Sequence, residues 1–235
     1  MKNFIDAIQS KTYTYDEGLR AYMGNVYKYM SLALLVTGLV SFIVAHSTTL
    51  MKIIFGTPLS FIVAIAPLIY VFYFGRKIWT ISPERARNNL LIFSGLMGLS
   101  LTSVFLMYTY ISIVRVFFIT SAMFAGMSLY GYTTKRDLRP MAQFLFMGLI
   151  GIIIASLVNI FLKSSSVDFS VSVLSVVIFA GLTTYDIQTI KDTYSYIGVN
   201  SDSNDKVAII GALNLYMDFI NLFIALLRLF GDNKN

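Results

Sequence analysis

The sequence predicts an all-α integral membrane protein with seven transmembrane helices, and three observations carry that prediction. Hydrophobic residues make up 57% of the 235 and charged residues only 13%, with a mean hydropathy of +0.72, whereas about a quarter of a soluble domain is charged. The apolar runs reach about 20 residues, which as helix spans about 30 Å of hydrocarbon. None alternates apolar and polar residues as a barrel strand would, so helices are the spanning element. With no cysteine, structural disulfides, thiol catalysis and thiolate metal sites are excluded. The net charge of +6 lies beside the apolar runs, which points to membrane topology and a lipid bilayer partner, not to nucleic acid.

Residues 1–26 form a polar N-terminal segment carrying Asp6, Asp16 and Glu17 among basic residues, with no cleavage pattern of a secretory signal. The first expected span, 27–45, would act as an uncleaved anchor. The second, 53–75, has Pro58 near its start and Pro67 inside, where a local kink is tolerable within a bundle. A basic cluster follows at Arg76, Lys77, Arg85 and Arg87, and Ser82 before Pro83 reads as the cap and first turn of a new helix. The remaining spans are expected at 89–108, 113–132, 140–162, 169–190 and 207–230. The last is the most polar, with Asn214, Asp218, Asn221 and Arg228, so a re-entrant course stays open for it. No long linker or repeat divides residues 27–235, which read as one domain. Gly38, Gly95, Gly98, Gly126, Gly148, Gly151 and Gly181 are expected to let helices approach closely. Placing the N-terminus inside puts thirteen of the 18 Lys and Arg residues in inner loops and five (Lys52, Arg115, Lys163, Arg228 and Lys234) on the other side. A cytoplasmic N-terminus is expected.

Asp186 and Asp218 are the only carboxylates inside any long apolar segment. An acid at membrane depth costs about 2.5–3.5 kcal/mol on insertion scales, which makes a functional site the default reading. In the seventh segment Asn214, Asp218, Asn221, Ala225 and Arg228 recur at helical spacing and form one polar stripe between apolar flanks. In the sixth, Ser172, Ser175, Phe179, Leu182, Asp186 and Thr189 line up similarly. The two acids differ in expected depth by about 10 Å along the helix axes, a gap that tilt and side-chain reach partly close. Two carboxylates in contact in a low dielectric cannot both ionise cheaply, so a pair there would share a proton. Such a pair could sense pH or pass a hard cation such as Ca²⁺, although two acids alone are too few ligands for a tight site. Arg76 is the first choice of cationic partner, with Lys77, Arg85 and Arg87 competing.

The stretches Gly-Leu-Thr-Thr-Tyr-Asp-Ile-Gln (181–188) and Leu-Tyr-Met-Asp-Phe-Ile-Asn-Leu-Phe (215–223), with Leu-Leu-Arg-Leu-Phe-Gly at 226–231, resemble the signatures of the Bax-inhibitor family, the transmembrane Bax inhibitor motif proteins, in a bacterial member. The resemblance implies six helices wrapped around a central C-terminal one, in the bacterial inner (plasma) membrane. It also implies a pH-sensitive calcium leak governed by an aspartate pair, carried onto Asp186 and Asp218, with Ca²⁺ as the transported ion and no cofactor. A basic residue ending the second helix latches that pair in the family, and Arg76 fits by position, while Ile-Ser-Pro-Glu-Arg (81–85) departs from the pattern. Arg228 matches a family arginine near the far end of the central helix. Some members carry an acid within the second helix; residues 53–75 contain none.

Blander readings stand beside these. Each aspartate could be structural, bonded by Thr183, Asn214, Asn221 or a backbone donor. Arg76 could be an ordinary inside-loop charge, and Arg228 could snorkel to the headgroups. His46, the single histidine, ends the first span and reads as interfacial. The alternative function, which the resemblance also implies, is a regulatory protein that modulates a membrane protease or a cell-death partner through helix–helix contact. An intramembrane aspartyl protease fits less well. Tyr185-Asp186 resembles that class, but Asp218 follows Leu-Tyr-Met instead of Gly-x-Gly, and no Pro-Ala-Leu follows. Residues 207–233 hold no lysine for a retinal Schiff base, and no histidine lies within the later spans for serine-protease chemistry. The expectation is a protein that is not an enzyme.

Overall fold

The computed structural model describes the backbone of residues 2–197 and 201–234 and the side chains of residues 17–196 and 205–234. The side chains of Lys2, Asp6, Lys11 and Asp16 lie outside that set. Among the described residues eight helices follow in order: α1 Lys2–His46, α2 Thr48–Phe55, α3 Leu59–Lys77, α4 Pro83–Met107, α5 Tyr110–Thr133, α6 Arg139–Leu162, α7 Ser165–Ile197 and α8 Ser201–Phe230. All but α2 contain a stretch long and apolar enough to cross a membrane.

Local chemistry sets the breaks. Ser47 caps α2, its hydroxyl accepting from the Leu50 amide at 3.3 Å. The second apolar run, expected as one span from residue 53, is split at residues 56–58. There α2 closes with the Gly56 amide on the Lys52 carbonyl, and α3 starts after Pro58. Hydropathy is continuous across this break, so only the turn residues mark it. Ser82 accepts from the Arg85 amide at 3.4 Å with Pro83 at the first helical position, which starts α4 six residues ahead of the apolar span expected from 89. Thr109 caps α5 in the same way, on the Ser112 amide at 3.3 Å. Lys163, at φ 50°, ends α6 in the left-handed region.

The most polar span is the most enclosed. In the apolar window of α8, 72% of residues are buried, against 11% in α3 and in α6. Helices α1, α4, α5 and α7 pack directly on α8, whereas α3 packs chiefly on α4 and α6 on α7. The wrapping expected of six helices is therefore two layers deep, with α3 and α6 outermost. Lipid is as apolar as leucine, so the position next to lipid falls to the helices with least to hide. Helix α8 runs without interruption for 30 residues, which removes the re-entrant alternative.

Close approach depends on fewer glycines than the sequence suggests. A Cβ on Gly98 would lie 2.8 Å from the Thr37 carbonyl oxygen, so α1 and α4 touch backbone to backbone there, and Gly148 and Gly181 likewise face Ile178 and Leu145. Gly38, Gly95, Gly126 and Gly151 face open space. Gly131, not anticipated, admits the Thr184 carbonyl of α7 against α5.

Candidate functional site: a buried acidic pair

Asp186 projects from α7 and Asp218 from α8, two helices packed along one another. Asp218 is buried at 7% exposure and Asp186 is half-buried. Their carboxyl groups lie within side-chain hydrogen-bonding reach of each other, so the packing closes the depth offset expected from sequence. Among the described residues no donor bonds Oδ2 of Asp218. Two ionised carboxylates only accept hydrogen bonds, and their contact becomes a hydrogen bond only when one of them carries the proton. Thr183 and Thr184 do not supply a donor, since their hydroxyls bond the Phe179 and Ala180 carbonyls of their own helix.

Among the described residues no cation forms an ion pair with either acid. Ion pairs among the described residues join Arg115 to Asp232, Arg139 to Asp137 and Arg228 to Asp168, and none reaches Asp186 or Asp218. Arg76 is exposed in the last turn of α3, and Lys77, Arg85 and Arg87 are exposed as well. The structure does not bring the latch candidate to the acids.

The stripe on α8 crosses the molecule from surface to surface. Asn214 is exposed, Asp218 buried, Asn221 half-buried, Ala225 buried and Arg228 exposed. At the far end Arg228 stands 3.9 Å from Asp168 of α7, beside a cavity of about 260 Å³ that Ser156 and Asn159 also line. Among the described residues no third His, Cys, Asp or Glu joins the two acids as a metal cluster would require.

Three polar groups on α7 and α8 were given no role from the sequence. Gln188, one half-turn beyond Asp186, donates to the Arg136 carbonyl at 2.7 Å and accepts from the Leu138 amide at 3.0 Å, which ties the α5–α6 loop to α7. Lys191 donates to the Tyr132 carbonyl at 2.8 Å near the end of α5. Tyr216, fully buried two residues before Asp218, shares a 2.7 Å hydrogen bond with Thr37 of α1. A glutamine and a tyrosine hydroxyl inside apolar segments were the available signal; their partners lie far away in the chain.

Residues 19–235 match the family described as Inhibitor of apoptosis-promoting Bax1. The chain is 46% identical over 226 residues to the protein RP147 of Rickettsia prowazekii, covering 96% of this chain and 95% of that one. It is 43% identical over 219 residues to the inner membrane protein YbhL of Escherichia coli K12, covering 92% and 94%. A membrane protein of Streptococcus pyogenes serotype M1 is 34% identical over 228 residues, 93% of this chain and 95% of its own.

Proposed function

Because this chain belongs to the Bax inhibitor family of membrane proteins, we propose that it works in the bacterial inner membrane, N-terminus inside, as a proton-sensitive calcium leak gated by Asp186 and Asp218. The observation that supports this reading is the contact of two carboxyl groups within a buried polar stripe, with no ion-paired cation among the described residues. One shared proton holds the contact. Its loss leaves two like charges in a low dielectric, which repel and favour separation of α7 from α8 at this level. The same loss supplies the negative charge that attracts Ca²⁺, so both effects of rising pH act toward flux. The calcium ion would be a passing one, held by two acids together with carbonyls and water. An Arg76 latch has no part in this scheme.

The test is Ca²⁺ entry into dye-loaded proteoliposomes across pH 5 to 8. Wild type should show flux that rises with pH through a midpoint. Asp218→Asn should stay shut across the range, because an amide donates to Asp186 without a titrating proton, and Asp186→Asn should do the same toward Asp218. Arg76→Ala should leave the midpoint unmoved. Absent wild-type flux, or a pH profile that both Asn variants preserve, would overturn the leak and shift the reading to a regulator acting through helix–helix contact.

A further inference from the structure

Helices α1 and α5 each lie on α8, yet they do not pack substantially on each other. Between them runs a cleft of about 1100 Å³ with Phe219 of α8 on its floor and Arg20, Tyr27 and Tyr132 among its lining residues. It continues past Gly38 into a second apolar cavity of about 280 Å³ that reaches Ser41. The rim side chains Leu35 and Leu129 are exposed at 57% and 66%, so the cleft opens sideways where lipid would be. Water is a poor occupant, because a stable water needs two to four polar partners and these walls are mainly apolar.

We propose that this cleft binds one anionic glycerophospholipid, with its phosphate at Arg20 and the hydroxyls of Tyr27 and Tyr132, and an acyl chain laid along α1 toward Phe219. Charge complementarity selects this occupant. An exposed guanidinium stands at one end of the cleft, where a basic group between transmembrane helices recognises lipid phosphate through paired donors. The length fits too. Half a bilayer core is about 15 Å, and Arg20 to Ser31 is eleven residues of helix, about 16 Å. One acyl chain therefore runs from the charged end past Gly24 to Ser31. Gly24 leaves it room, since a Cβ there would meet nothing within 4 Å. A docked transmembrane helix would use the whole track instead, including Gly38.

Native mass spectrometry of the full-length protein in mild detergent tests the proposal, with dioleoyl phosphatidylglycerol set against dioleoyl phosphatidylcholine, which has the same chains and no net charge. One phosphatidylglycerol should be retained about fivefold more than phosphatidylcholine, the share of one basic residue near an anionic headgroup. Arg20→Gln should erase that preference. Gly24→Leu should expel both lipids, whereas Gly38→Leu, beyond the reach of the chain, should retain the preference. Equal retention of the two lipids by wild type, or a preference that survives Arg20→Gln, overturns the proposal. So does a dimer mass that both Gly24→Leu and Gly38→Leu abolish, which would make a helix from a second copy the occupant. If Gly24→Leu fails to fold, Arg20→Gln still decides, because it changes only an exposed side chain.

Discussion

Thr37 has one proton and three oxygen neighbours: the Ala33 carbonyl at 2.9 Å, the Ser94 carbonyl at 3.0 Å and the Tyr216 hydroxyl at 2.7 Å. The two carbonyls can only accept, so Thr37 donates to them and Tyr216 donates to Thr37. That assignment makes the two ends of the bond unequal. Tyr216→Phe removes a donor and leaves the threonine proton satisfied, at a cost of about 0.5–1.5 kcal/mol. Thr37→Val strands a fully buried phenol hydroxyl and should cost about 1–3 kcal/mol. Thermal unfolding in detergent, with both variants side by side, checks the order; equal losses would refute the donor assignment. Neither residue announces this bond in sequence. Tyr216 sits inside the motif around Asp218, but its partner is 179 positions away.

At the level of elements, Gly95 and Gly98 occupy the same helix less than one turn apart and should answer substitution with opposite signs. Gly95 faces open space, so Gly95→Ala should stabilise α4 by up to about 1 kcal/mol through helix propensity. Gly98 lies against the Thr37 carbonyl and the Val40 Cβ, so Gly98→Ala must push α1 from α4 and should cost about 1–3 kcal/mol. Midpoints of unfolding for the two alanine variants give the comparison. The end of the chain is clasped as well. The Thr109 amide donates to the Asp232 carbonyl at 3.0 Å and the Lys234 amide to Met107 at 2.9 Å. The Ser112 hydroxyl and the Arg115 guanidinium, at 2.8 and 2.9 Å, hold the Asp232 carboxyl below its usual range. A carboxyl lowered by folding contributes stability above its unfolded pKa of about 3.9 and loses it as pH falls through the folded value. The Thr109 and Lys234 amides should therefore stay protected at neutral pH, and their protection relative to the intrinsic exchange rate should fall as pH drops below about 4. Asp232→Asn should show the reduced protection already at neutral pH. Both charges are more than half exposed, so the effect is confined to the clasp.

For the whole molecule, seven helices are long and apolar enough to cross a membrane, and if all seven cross, Arg85 and Lys234 should face opposite sides. The distribution of lysine and arginine predicts an inward N-terminus, which is part of the proposed function. The absence of cysteine makes this simple to check, because any single cysteine introduced is the only thiol. A cysteine replacing Arg85, in the first turn of α4, should be shielded from an impermeant maleimide applied to intact cells. One replacing Lys234 should be labelled. The reverse pattern would invert the protein, and labelling of both or neither would contradict an odd number of crossings.

Span number, fold class and the presence of two acids within apolar runs were legible in the sequence by itself, because each is a local property: hydropathy over about 20 residues, or one charge within such a run. The turn chemistry of Ser82-Pro83 was legible for the same reason. The break at residues 56–58 was missed because apolar character carries across it. Only the tertiary structure decided that α8 is the centre and α3 and α6 the periphery, that Asp186 and Asp218 reach one another while Arg76 stays at the surface, and that a cleft is left between α1 and α5. In a soluble protein the apolar stripe of each helix would have pointed inward. In a membrane the outside is as apolar as the inside, so hydropathy does not mark which face meets another helix, and close packing and sparse polar contacts make that choice.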